Sequence, residues 1–158
     1  MPDARKSTSL VVRLATGFGA GYVRWMPGTV GTLIGLLPAW GLLHLPSISL
    51  QWAAGLLLTL LAIPLCGRAE REIGGKDPGC IVADEFLTLP LCVIGFAAQA
   101  PLWVLGTGFL FHRLFDITKP PPIRQLQHIH GGFGVVVDDF LAALLALGCN
   151  HLLWKLLG

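Results

Sequence analysis

The chain has 158 residues, enough for one domain; 54% are apolar and only 13% charged, with a mean hydropathy of +0.70. A soluble domain carries about 25% charged residues, so this balance excludes a disordered chain and a coiled coil, and a net charge of +2 offers no phosphate-tracking face for a nucleic acid. What remains is a membrane protein or a very apolar soluble helical domain. Residues 1–158 read as a single domain in which 1–9 form a flexible tail, too polar for a secretory leader. The cysteines at 66, 80, 92 and 149 have no metal-ligand spacing and read as buried thiols.

The first apolar run is Thr29 to Leu45, broken by Pro46-Ser47, and the second is Leu50 to Cys66. Each is close to the minimum length for a membrane span. A polar stretch, Gly67 to Gly79, follows, in which Arg68, Glu70, Arg71 and Glu72 read as a solvated helix end and Asp77 as a residue at or near a metal. Phe86 to Phe111 then carries no formal charge and reads either as one tilted helix or as a hairpin broken at Gln99-Ala100-Pro101, since proline disrupts helix interiors. A second polar stretch, His112 to Gly134, leads to the last run, Val135 to Leu157.

Charge separates the two topologies. With the hairpin, Arg5, Lys6, Arg13, Arg24, Arg68, Arg71, Lys76, Arg113, Lys119 and Arg124 share one side and only Lys155 lies opposite. A single span would move three of them across. The positive-inside rule favours the hairpin, with the charged side cytoplasmic and Trp40, Trp52, Trp103 and Trp154 near the outer boundary. The expectation is an all-α, multi-pass membrane bundle of about five apolar helices, one pair forming a short hairpin that starts near Val82 and ends near Asp116.

Two adjacent acidic pairs, Asp84-Glu85 and Asp138-Asp139, are expected within about the first turn of apolar helices on that inner side. A carboxylate deep in a membrane helix costs about 2.5–3.5 kcal/mol on insertion scales, and a neighbouring like charge adds repulsion. Capping and interfacial anchoring would account for one pair. Two pairs at similar depth suit a divalent cation such as Mg²⁺, which takes hard oxygen ligands, so Asp84, Glu85, Asp138 and Asp139 are the candidate metal ligands.

The same side carries groups suited to a phosphate. Pro27-Gly28-Thr29-Val30-Gly31-Thr32 offers backbone N–H groups, hydroxyls and a helix N-terminus. Asp116 to Arg124 contains three consecutive prolines, a rigid extended segment presenting Lys119 and Arg124 at set spacing, with Arg113 one turn before Asp116. Gly131-Gly132-Phe133-Gly134 allows a tight turn into the last helix, and His128 and His130 read as loop surface.

Together Pro27-Gly28-Thr29 with Gly31, Asp84-Glu85-Phe86-Leu87, Arg113, Asp116, Lys119-Pro120, Pro122-Ile123-Arg124, His130-Gly131-Gly132, Gly134, Asp138 and Asp139 resemble the phosphatidylglycerophosphatase A family of bacterial membrane lipid phosphatases. The resemblance implies an all-helical fold and Mg²⁺-dependent removal of the terminal phosphate from phosphatidylglycerophosphate, a phospholipid substrate in the cell inner membrane. Three positions depart from the family pattern. Gln127 stands nearest the place of a common Asp, Thr88 stands where Gly is common, and His112 stands where an apolar residue is usual.

In the mechanism these residues suggest, Mg²⁺ held by some of the four acids binds phosphate oxygens. Arg113, Lys119 and Arg124, with Gly28 and Thr29, bind substrate and stabilise developing charge. Water bound to the metal, or activated by a carboxylate such as Asp116, attacks phosphorus, with Asp84 and Asp139 also catalytic; an aspartyl-phosphate route is a further alternative. The rival functions are a cation transporter using intramembrane carboxylates, a membrane scaffold without chemistry, and a phosphatase of the same fold acting on another phosphate ester.

Overall fold

A computed structural model describes residues 9–126 and 128–157, so Gln127 and the first eight residues, with Asp3, Arg5 and Lys6, lie outside what is described. Among the described residues every regular element is helical: α1 (Leu10–Ala15), α2 (Pro27–Leu43), α3 (Ile48–Ile73), α4 (Ala83–Thr88), α5 (Trp103–Thr118), α6 (Ile123–Leu126) and α7 (Gly131–Leu157), with 3-10 turns at Ala20–Tyr22 and Leu89–Val93. The all-α expectation holds. The expected five spans do not: among the described residues only α3 and α7 are long and apolar enough to cross a membrane.

The boundaries follow local chemistry. Ser9 caps α1 by accepting from the Val11 N–H, and Pro27 opens α2 where its missing N–H costs nothing. Ser47 caps α3 by accepting from the Leu50 N–H at 3.2 Å, and Gly74, at φ 86°, ends it. α3 thus continues past Cys66 through Arg68–Glu72, the solvated helix end expected from the charges. α7 starts a turn earlier than the apolar run. Gly132 makes this possible: a Cβ there would overlap the Ile63 carbonyl and lie 2.7 Å from the Gly67 nitrogen of α3. Asp138 and Asp139 therefore sit about two turns inside α7, deeper than the first turn.

The hairpin exists in altered form. It starts at Val82 and its second arm, α5, ends at Thr118, but the first arm is not a continuous helix. Pro90 lacks a donor for the helix ladder, and α4 gives way to the tighter Leu89–Val93 turn after six residues. The broken arm rises about 19 Å, well short of a hydrocarbon core of about 30 Å. Beyond it, Ile94–Leu102 is irregular backbone, and buried polar side chains bind its start and the helical ends that flank it. Gln51 Nε2 donates to the Phe96 carbonyl (2.9 Å) while its Oε1 accepts from the Gly95 N–H (2.7 Å). Asn150 Nδ2 donates to the Cys92 and Val104 carbonyls, both at 3.0 Å. Irregular backbone at such depth is tolerated only where protein supplies its partners.

These contacts tie the start of α3, the hairpin bend and the last turns of α7 into one end of the bundle. Trp103 stacks on Trp154 there, at 5.6 Å. The core lies between the two ends, with Leu89, Leu91, Val104, Ala143 and Ala146 almost fully buried. All four cysteines are free, Cys66 and Cys92 buried and the other two half-buried.

Candidate active site

At the opposite end, α2, α4, α5 and α7 bring together the acidic residues. Asp84 and Glu85 occupy the first turn of α4, as expected. Asp116 lies in the last turn of α5, where Arg113 Nη1 donates to its Oδ2 at 2.6 Å. Lys119, the left-handed C-cap of α5, approaches Asp116 Oδ1 at 3.6 Å and pairs directly with Asp138 Oδ2. One oxygen each from Asp116, Asp138 and Asp139 lie within 4.8 Å of one another. Asp116, read from the sequence as a candidate for activating water, is thus part of the carboxylate cluster, with both oxygens facing cations.

Glu85 has a different set of partners. Its Oε1 accepts from Arg113 Nη1 (3.2 Å) and its Oε2 from Thr32 Oγ1 (3.2 Å). The start of α2 wraps it closely. A Cβ at Gly28 would overlap Glu85 Oε1 and come within 3.1 Å of Arg113 Nη2, and one at Gly31 would lie 2.9 Å from Glu85 Oε2. The PGT segment therefore meets the site through the bare backbone of Gly28, while Thr29 is half-buried in the first turn of α2. Thr32 was not singled out as a site residue from the sequence. The signal was its position four residues after Gly28, which puts both on one helix face.

The two described departures from the family pattern touch each other. Buried His112 places Nε2 3.4 Å from Thr88 Oγ1 and 3.7 Å from Asp139 Oδ1. A hydroxyl and an imidazole thus line the wall behind Asp139. Arg124 is exposed on α6, and no ion pair joins it to the acids among the described residues. The segment before it is not extended. Pro120–Pro122 makes a turn closed by the Ile123 N–H to the Pro120 carbonyl (2.9 Å), because Ile123 is drawn into the core. His128 and His130 are exposed, as expected. Asp77 lines a cleft of about 210 Å³ with Glu70, Lys119 and Asp138.

The electrostatics are those of an under-neutralised acidic pocket. Burial, then Glu85, Asp77 and Asp138, push Asp84 well above the usual carboxylate range. Burial, opposed by Arg113 but reinforced by Asp116, pushes Glu85 up to about 7. Asp77 is raised by burial and by Asp138. Burial would lower Lys119, but Asp138 and Asp116 outweigh it, so its pKa is raised and it stays charged.

The buried oxygens Asp84 Oδ1 and Asp139 Oδ1 have no hydrogen-bond partner among the described residues. Unsatisfied buried carboxylate oxygens are costly, and an all-oxygen donor set with two vacant acceptors fits a hard divalent cation. Cations at Arg113 and Lys119 next to such a set fit a phosphate ester.

Fold and site thus define a helical phosphoester-handling enzyme with a carboxylate centre. The family model described as phosphatidylglycerophosphatase A matches residues 13–154, and the chain belongs to that family. It is 37% identical over 135 residues to a protein of Haemophilus influenzae named phosphatidylglycerophosphatase A, covering 85% of this chain and 82% of that one. To the Escherichia coli protein of the same name it is 33% identical over 136 residues, covering 85% and 78%. A Bacteroides thetaiotaomicron protein named "Putative phosphatidylinositol-3-phosphatase" is 32% identical over 146 residues, covering 89% and 91%. No solved structure matches significantly. The chain is therefore a hydrolase with lipid-phosphatase activity of this family's kind, and a bacterial membrane protein.

Proposed function

We propose that the protein hydrolyses the terminal phosphomonoester of phosphatidylglycerophosphate, giving phosphatidylglycerol and phosphate, in an Mg²⁺-dependent reaction on the cytoplasmic side of the inner membrane. The observation that carries this is the meeting of Asp116, Asp138 and Asp139 beside Lys119 and Arg113, with vacant oxygens on Asp84 and Asp139. The two relatives named as phosphatidylglycerophosphatase A support the substrate, and the one-sided distribution of basic residues supports the orientation.

Asp116, Asp138 and Asp139 would hold the ion, with Asp84 and Glu85 bordering it. Bound Mg²⁺ would neutralise charge on the phosphate oxygens and polarise the ester. Lys119 and Arg113 hold the carboxylates in place through their ion pairs and offer N–H donors to the phosphate as negative charge develops. Gly28 and Thr29 at the start of α2 add backbone N–H groups and a helix N-terminus. Asp84, with a vacant oxygen, takes the proton from water as the water oxygen bonds to phosphorus and the bond from phosphorus to the glycerol oxygen breaks, and that proton then passes to the departing glycerol oxygen. Arg124, exposed on α6, extends the positive surface that the headgroup meets.

The test is phosphate release from phosphatidylglycerophosphate by purified protein in detergent, with Mg²⁺ or with chelator. Release is expected with Mg²⁺ and lost with chelator and in Asp139→Asn; undiminished release in both would remove the metal assignment. The Bacteroides relative favours one second reading, a phosphomonoester on a different lipid headgroup, and the same assay with phosphatidylinositol 3-phosphate decides between them. A cation pathway is disfavoured because the acids that meet gather at one end of the bundle, not along its length as a path for a transported cation requires.

A further inference from the structure

On the far side of α4 from α5, the N-terminal segment, α2, α3 and α4 enclose a groove of about 440 Å³ lined by Leu14, Phe18, Ile34, Leu61, Leu65 and Phe86. Its volume lies within the range of roughly 300–1,000 Å³ found for small-ligand sites. It offers almost no polar surface, and it is open along its flank: Leu61 is 53% and Phe18 78% exposed. In a membrane that flank faces hydrocarbon.

The groove lies directly beside the acidic site. Phe86 directly follows Asp84-Glu85 in α4, so one short helix turns carboxylates to one side and an aromatic ring to the other. The partition between them is one side chain thick. Val82 contacts Gly31, which borders Glu85, and also Gly17, which floors the groove; added Cβ atoms would meet Val82 atoms at 2.6 and 3.4 Å respectively. Gly35 completes the close approach: its Cβ would lie 2.9 Å from the Phe86 Cα.

We infer that this groove holds an acyl chain of the lipid whose phosphate is hydrolysed, the chain entering sideways from the bilayer between α1 and α3. The inference rests on the lipid-phosphatase reading above. An amphiphile whose charged end sits among Asp84, Arg113 and Lys119 must put its apolar end nearby. This is the apolar cavity that shares a helix with those acids. Seating a chain here removes its methylenes from contact with neighbouring lipid without new polar cost, and it orients the headgroup toward α4. Orientation of this kind is how remote binding contributes to rate.

Two measurements test it. Leu61→Trp and Leu65→Trp fill the groove from α3 without touching the acids. With long-chain phosphatidylglycerophosphate, kcat/KM should fall about tenfold or more, because the unseated chain no longer orients the headgroup toward α4. With the dihexanoyl form of the same ester, kcat/KM should stay within about twofold of the unsubstituted protein. Equal effects on both substrates, or none on either, overturn the inference.

Separately, a long-chain phosphatidylglycerophosphate carrying a diazirine at the end of one acyl chain is bound to Asp139→Asn in detergent and photolysed. Saturable labelling of peptides containing residues 14–18, 61–65 or 86–87 is expected, displaced by unlabelled ester. Labelling spread over the bundle, or not displaced, overturns the groove. If the unsubstituted protein releases no phosphate yet this labelling is seen, the substrate reading fails and the groove stands. If phosphate is released but labelling and chain-length dependence are both missing, the groove fails alone.

Discussion

Arg113 bridges Glu85 and Asp116: the same Nη1 donates to Glu85 Oε1 at 3.2 Å and to Asp116 Oδ2 at 2.6 Å. One cation from α5 thus couples the acid of α4 to its own helix's acid one turn on. Both are mostly shielded from water, so removing the guanidinium leaves Glu85 to the neutral Thr32 hydroxyl and Asp116 to Lys119 at 3.6 Å, and the bridge between the two charges is lost.

Arg113→Gln should therefore lower phosphate release by about 10²-fold or more while the protein still inserts and purifies. Arg113→Lys should recover only part of this, because one ammonium cannot reproduce the planar fork. Steady-state kinetics of the two variants, with thermal unfolding as the control for folding, check the assignment. Equal activity in Arg113→Gln and the unsubstituted protein would leave Arg113 a purely structural ion pair.

The start of α2 makes a sharper steric prediction. Gly28→Ala places a methyl group against Glu85 and Arg113, so it should destabilise by about 1–3 kcal/mol and abolish most activity. Gly41→Ala in the same helix meets nothing within 4 Å and should be neutral or stabilising by up to about 1 kcal/mol. Thermal unfolding of the pair in one detergent separates crowding at the site from a general intolerance of side chains in α2.

The raised carboxylates set a pH dependence. Glu85, near 7 in the folded protein against an ordinary value of 4.5, binds its proton more tightly when folded, and Asp84 and Asp77 shift the same way. Without metal, their contribution to stability is therefore fully present below the ordinary carboxylate range and is lost as pH rises through about 7. Mg²⁺ competes with those protons. Its stabilising effect should be small at pH 5.5 and grow toward pH 8, and activity should rise over the same interval. Melting temperatures with and without Mg²⁺ across that range provide the check. A constant metal effect would show that these acids do not titrate with binding.

The far end should respond in the opposite sense. Asn150 is fully buried, with Thr107 Oγ1 donating to its Oδ1 at 2.6 Å and its Nδ2 donating to two carbonyls. Asn150→Leu strands those carbonyls and should cost about 2–4 kcal/mol. The activity of the protein that remains folded should change by less than about threefold, since the acids lie at the other end of α7. Loss of stability with activity per folded molecule retained is the expected pattern.

The residues themselves announced the helical class, the nearness of the second acidic pair to Lys119 and Asp116, the start of the hairpin at Val82 and its end near Asp116. These follow from hydropathy, from a proline and from paired acids, all of which act locally. The five-span count failed because run length does not register how Pro90 splits the first arm, that α2 and α5 stop at 17 and 16 residues, or that Gln51 can hold the bend between the arms. Thr32 and His112 were legible as polar residues but not as neighbours of Glu85 and Asp139.

Composition and pattern determined that this chain folds as apolar helices with acids at one end, because burial of side chains and the penalty on buried charge depend on residue type alone. Only the tertiary structure decided which acids meet. The packing of Gly132 against Gly67 sets the depth of Asp138 and Asp139, and the Lys119 cap brings α5 to them. Contacts between helices far apart in the chain depend on crossing distance and register, and these emerge only when the whole bundle packs.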